Sequence, residues 1–428
     1  MNVPALMTSA MTSTTQARRP PTLGSIGAWA VALAYPVFCI SDTMLTLEDE
    51  RSQHVKIVAF VLLLLALWIR PRFHRLIVLA APLLFVLWID LMRAFNADAG
   101  MEEFVRFLFP VVITLALFAY RDRIDAVLKV FFAIVLSNDL FQCYFYLAYL
   151  SGLPLLLPIR IDSGLFLRAQ GWMGFFSEFS FINFCAFVLC RQYRPTSQSR
   201  RAAWFFLLFA LLGFSFKMFA TLACYPLMAK KMSPRVWLAA AAATCAGLWV
   251  VTSGYVDSLL NVAAAKISFY IVAGNSARAE SYRVMIESLG KGNLLGEGLG
   301  AFGGPASVKY GSPLYALYHF NWYGLGSVLK TTDTFYPHLF VELGLLGALV
   351  WLGFVLRYGQ GRRPGATWWF VVLAFCFDNA FSMALVSPSY VFSALLAMYA
   401  LSSRSELSRS ELSISRETVS HKRLGAVR

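Results

Sequence analysis

"FVLLLLALWIRPRFHRLIVLAAPLLFVLWI", residues 60–89, is two apolar runs parted by a short turn carrying Arg70, Arg72 and Arg75. The runs belong to stretches over 55–70 and 75–91. A bilayer core takes roughly 20 apolar helical residues to cross. The pattern recurs along the chain of 428 residues, which is 58% hydrophobic and 14% charged, with mean hydropathy +0.62. Soluble domains carry about 25% charged residues. A chain this apolar cannot cover itself with polar surface. The expectation is an all-α, polytopic integral membrane protein.

Twelve spans are read, near 24–41, 55–70, 75–91, 104–120, 126–149, 172–190, 203–216, 217–229, 235–252, 337–357, 366–386 and 388–401. Basic residues follow every even-numbered span: Arg121 and Arg123 after the fourth, Arg191 and Arg200 after the sixth, Lys230 and Lys231 after the eighth, Arg362 and Arg363 after the tenth. The intervening loops are acidic or mixed, as at Glu48, Asp49 and Glu50 or at Asp98, Glu102 and Glu103. Basic loops stay in the cytoplasm, so both termini are expected there. Residues 203–229 read as two short helices, which preserves the alternation. The domains are then a disordered cytoplasmic tail (1–23), nine spans (24–252), a large external loop (253–336), three spans (337–401) and a second disordered tail (402–428). The first tail has no apolar core of signal-peptide length. The net charge of +14 is the insertion bias rather than a nucleic-acid footprint. The seven cysteines lie in apolar runs without a C-x-x-C pair, so neither disulfides nor a metal site is expected.

The large loop is the one long hydrophilic region, and such loops are usually functional. Tyr282, Met285, Ile286 and Leu289 form the i, i+3, i+4, i+7 stripe of an amphipathic helix over Ala277–Leu289. Arg278, Arg283, Glu280 and Glu287 occupy its polar side, either as a solvated face or as a binding surface. "GEGLGAFGG" follows, without the strand and helix that a dinucleotide fingerprint needs, so it reads as a tight turn with close backbone approach. Then comes "DTFYPHLFVELGLLGAL", residues 333–349. Pro337 suits the first helical position. Asp333 would lie just outside that helix and His338 in its first turn, where the helix dipole favours a neutral imidazole able to accept a proton. The alternative is that both simply mark an interfacial helix start. Gly344, Gly347 and Ala348 offer a small-residue packing face. The aromatic run "YALYHFNWYG" (315–324) suits sugar stacking and interfacial anchoring alike.

These pieces, in order, resemble the bacterial superfamily of O-antigen ligases and Wzy-type polysaccharide polymerases. "RAQGWMGFFSEFSFINFCAF" (168–187) resembles its arginine-then-glycine start of a middle span. "GFSFKMFATLACYP" (213–226) resembles its serine-plus-basic hairpin, with Lys217 where arginine is commoner. "SARAESYRVMIESLGKGNLLGEGLGAF" (276–302) resembles its external arginine helix and glycine turn, and 333–349 its closing segment. The likeness covers roughly 168–355. Ligases of the superfamily place a histidine eleven residues before the first glycine of the closing motif. Here that position, counted from Gly344, is Asp333, and an acid there is a polymerase-like trait.

The resemblance implies glycan transfer at the external face of a bacterial inner membrane. An acceptor sugar hydroxyl attacks the anomeric carbon of a donor, and undecaprenyl diphosphate leaves. Asp333 or His338 would be the base. Arg278, Arg283, Arg168 and Lys217 would hold the diphosphate, since guanidinium binds phosphate bidentately without a metal. Glu178 would line a lipid-glycan channel or serve as a structural partner, because charges within spans line cavities or pair. The implied partners are the lipid-linked glycan, membrane lipid and a chain-length regulator, with no cofactor. Two rivals stand beside the polymerase: a ligase that moves finished glycan to a lipid or protein acceptor, and a secondary transporter. The latter wants two repeated halves, which the sequence does not display.

Overall fold

A computed structural model describes residues 23–70, 73–157, 168–173, 175–193, 195–228, 276–324, 326, 329–358, 365–383 and 387–402. Most of the tails, the whole of the ninth expected span and the first part of the large loop lie outside these residues. The described residues are helical, with no strand. We label them α1 (Leu23–Thr46), α2 (Ser52–Ile69), α3 (Phe73–Met92), α4 (Ala97–Ala119), α5 (Ile124–Ser151), α6 (Phe176–Gln192), α7 (Ser197–Leu212), α8 (Phe216–Met228) and α9 (Ala277–Gly290). The short α10 (Pro305–Lys309) and α11 (Leu314–Leu317) follow, then α12 (Phe335–Arg357), α13 (Ala366–Ala380) and α14 (Pro388–Ser402).

Among the described residues, three helices, α1, α2 and α12, are long and apolar enough to cross a membrane. The α4–α5 pair passes the same test jointly, bent by 68° at the Arg121–Arg123 turn. The chain breaks between α7 and α8, where Gly213 ends one helix and Phe214 takes a left-handed φ of 45°. At 16 residues α7 is roughly 24 Å long, shorter than a bilayer core.

The core explains the order of packing. Helix α14 is buried along its whole length, as a helix apolar on every side must be. Tyr390 packs on Phe181 of α6 at 4.5 Å and on Phe375 of α13 at 5.8 Å. Helix α1 packs on α2 and α5, α6 on α7, and α12 on α3 and α9. The outer surface stays apolar, with Trp68, Val78, Leu147, Leu150 and Trp204 exposed. Such a belt suits lipid, not water.

Helix α12 begins at Phe335, two residues before the expected Pro337. Pro337 still falls among the first four residues, whose N–H groups have no partner within the helix. The loop from residue 276 is a folded cap rather than a free loop. Ser276 caps α9 by accepting the Ala279 N–H at 3.1 Å. Ala277, Val284, Phe302, Leu314, Tyr318, Phe320 and Val341 then form a small core between α9, the turn and α12. The aromatic run belongs to that core: Trp322 lies 4.8 Å from Tyr315 and 4.6 Å from Phe320.

Candidate functional site

The site is assembled around a break in α12. Gly344 has φ 66° and ψ −179°, conformations foreign to a helix. The break frees carbonyls before it and N–H groups after it, and the glycine turn takes up both. Glu297 and Gly298 donate N–H bonds to the Val341 and Glu342 carbonyls at 2.9 and 3.2 Å. Leu345 and Leu346 donate to the Asn293 and Leu294 carbonyls at 3.2 and 3.1 Å. Asn293 Nδ2 also donates to the Val341 carbonyl at 3.0 Å. Irregular backbone within an apolar bundle survives only when its polar groups are met in this way. The expected close approach at the glycines is therefore observed. A Cβ on Gly344 would overlap Gly296 N and approach the Leu294 carbonyl to 2.6 Å, and one on Gly298 would meet the Arg93 carbonyl carbon at 2.8 Å. Gly344 serves as a hinge in the helix, whereas Gly347 does pack closely, against Val86.

That docking fixes α9 over the start of α12. Arg278 donates from Nε to Asp333 Oδ2 at 2.8 Å, and its Nη2 pairs with the same oxygen. The two residues are 55 apart in sequence and both side chains are partly exposed. Asp333 has φ 58°, a left-handed conformation that Asp tolerates better than most residues. Its N–H bonds to Thr331 Oγ1 at 3.0 Å. Arg283 is engaged elsewhere. It reaches Glu280 Oε1 at 2.7 Å, Glu287 Oε2 at 2.7 Å and the Tyr318 carbonyl at 2.6 Å. Arg283 and Lys291 hold the exposed Glu287 carboxyl below the usual range, the Lys291 hydrogen bond acting most strongly.

The structure parts His338 from Asp333. His338 is fully buried, packed on Phe107 at 4.9 Å. Its Nε2 lies 3.3 Å from Glu103 Oε2 and 3.1 Å from Glu342 Oε2. The expectation of a histidine at an open helix mouth is corrected: two carboxylates, not solvent, face the imidazole. Glu103, expected in a solvated loop, is instead fully buried in α4. It pairs with Arg106 and accepts the Ala306 N–H at 3.2 Å.

The remaining site residues gather with other helix ends. Lys217 pairs with Asp378 Oδ1 at 2.8 Å, and Tyr390 donates to Asp378 Oδ2 at 2.8 Å. Ser387 Oγ lies 2.7 Å from Glu178 Oε2 and 2.9 Å from Asp42 Oδ2, and Lys56 Nζ lies 3.9 Å from Asp42 Oδ1. Arg168 donates from Nε and Nη2 to the Gly213 and Phe214 carbonyls at 3.2 and 3.0 Å. Its guanidinium also stacks on Phe176 at 3.3 Å. In these contacts Arg168 closes the α7–α8 break, and Glu178 has a hydroxyl partner in Ser387. Tyr282, one turn on from Arg278, donates to the Ala380 carbonyl at 2.8 Å. This ties α9 to the end of α13 that carries Asp378.

Sequence reasoning missed Glu342, Glu103, Asp42 and Lys56 as site components. The signal for Glu342 was present: an acid four residues after a histidine in an otherwise apolar helix shares its face. No known protein-family model matches the chain, and no curated protein matches its sequence.

Proposed function

We propose that the chain is a polymerase of undecaprenyl-diphosphate-linked oligosaccharide repeat units. It would act at the external face of a bacterial inner membrane, with both termini in the cytoplasm. The observation that carries the reading is the Arg278–Asp333 pair, which joins the arginine-bearing helix α9 to the start of an apolar helix. A diphosphate competes with a carboxylate for guanidinium, because both accept from its planar donors. Donor binding exchanges Asp333 for diphosphate on Arg278 and leaves the Asp333 carboxylate to take a proton. The acceptor hydroxyl gives that proton to Asp333 as its oxygen bonds to the anomeric carbon of the donor. The bond from that carbon to the diphosphate oxygen breaks, and undecaprenyl diphosphate leaves with the charge held by Arg278. Lys217 pairs with Asp378 near the end of α13, Arg168 anchors the α7–α8 break, and Arg283 shares α9 with Arg278.

Deletion of the gene tests the reading through the lipid-linked glycans that accumulate. Single repeat units support the polymerase; long chains on the carrier point to the ligase instead. Arg278→Ala and Asp333→Ala should each abolish polymer while the protein remains in the membrane. Normal polymer from both rejects the site.

A further inference from the structure

The buried trio Glu103, His338 and Glu342 has a pattern that an ion pair alone does not explain. Each carboxylate divides its oxygens. Oε1 of Glu342 accepts the Phe302 N–H at 3.0 Å, and Oε1 of Glu103 accepts the Ala306 N–H and pairs with Arg106. The other oxygens, both Oε2, converge on His338 Nε2 without an aligned hydrogen bond, and His338 Nδ1 has no partner either. All three side chains are fully buried. The facing atoms lie within 4.8 Å of one another. A single imidazole N–H can serve one acceptor, whereas here two stand at 3.1 and 3.3 Å. Ligands bound about 2.0–2.1 Å from a tetrahedral ion stand roughly 3.3 Å apart.

We propose that Glu103, His338 and Glu342 bind one divalent first-row transition ion through Glu103 Oε2, His338 Nε2 and Glu342 Oε2. One imidazole with two carboxylates suits zinc or manganese, while the imidazole disfavours calcium and magnesium. The backbone N–H groups on each Oε1 orient the carboxylates, as outer partners of metal ligands do. Packing on Phe107 orients the imidazole. The ion joins α4 to α12 and, through Phe302 and Ala306, locks the glycine turn into the broken helix. It takes no part in the transfer step, which uses Arg278 and Asp333.

The test uses the full chain purified in detergent, stripped with chelator and titrated with zinc or manganese alone. Expected are about one ion retained per chain through gel filtration and an unfolding midpoint raised by several degrees. Glu342→Gln and Glu103→Gln should each weaken uptake at least tenfold, while Asp98→Asn, an acid on the same helix, keeps it. No stoichiometric uptake and no midpoint shift by either ion in the native chain overturns the proposal, and leaves a histidine–carboxylate ion pair. Uptake unchanged in both glutamine variants overturns it equally. The native titration decides alone where a variant fails to fold. Polymer formation is not a readout, so this result and that of the proposed function stand apart.

Discussion

Asp333 combines a left-handed backbone with a two-donor contact from one guanidinium. Lysine could keep the charge at position 278 but not the paired donors. Arg278→Lys is therefore expected to lower polymer yield at least tenfold, read as polymer per unit of membrane protein. Wild-type yield would remove the geometric argument for arginine. Asp333→Asn keeps the side chain's size and its tolerance of positive φ but removes the base. Loss of general-base catalysis is worth roughly 10²–10⁴ in rate, so the variant should be nearly inactive while unfolding near the wild-type temperature. Both residues were legible in the sequence, each for its own reason: Arg278 from the polar face of an amphipathic stripe, Asp333 from its place before an apolar helix. Their contact was not, because 55 residues separate them and only the docked glycine turn brings α9 over α12.

At the scale of the element, α12 is two half-helices hinged at Gly344. An alanine there would need a strained φ and would overlap the Gly296 backbone. Gly344→Ala should cost upwards of about 3 kcal/mol, from strain and overpacking together, seen as failure to accumulate in the membrane. Gly353→Ala, in the second half-helix with open space around its Cβ, should be neutral or stabilise by up to about 1 kcal/mol. Similar loss from both substitutions would show that the helix, not the hinge, is the sensitive feature. Gly304→Ala meets a different obstacle. Its φ of −77° is ordinary, but a Cβ would stand 2.7 Å from Glu103 Cδ and 2.9 Å from His338 Nε2. A loss of about 1–3 kcal/mol in detergent unfolding is expected. The glycine turn itself was readable from "GEGLGAFGG"; its partner, the broken helix, was not. A glycine inside an apolar run reads equally as a packing face or a hinge.

At the scale of the whole molecule, charged side chains cluster where several helices end. Asp42 near the end of α1, Lys56 early in α2 and Glu178 in the first turn of α6 are linked through an ion pair and Ser387, and Lys217 in the first turn of α8 pairs with Asp378 near the end of α13. In the sequence Glu178 reads as a charge within an apolar span and Lys217 as a cation at the start of one. Removing one partner of a buried pair leaves an uncompensated charge, at about 3–5 kcal/mol. Lys217→Met should be destabilised by roughly that much, and Lys217→Met with Asp378→Asn by much less. Thermal unfolding of the four members of the cycle measures the coupling; additive losses would mean that the pair is not a unit.

What the sequence determined by itself was the apolar, all-helical character of the chain, the position of most helices to within a few residues, and the residue types at the helix ends. Those follow from local physics: hydrophobic runs, turn-forming glycines and proline. What only the tertiary structure decided was which ends meet. The pairing of Arg278 with Asp333, the burial of His338 between Glu103 and Glu342, and the anchoring of Arg168 on the α7–α8 break all depend on packing between distant segments. Hydrogen-bond demand at the Gly344 break settles one such meeting, and local sequence carries no record of the partner that satisfies it.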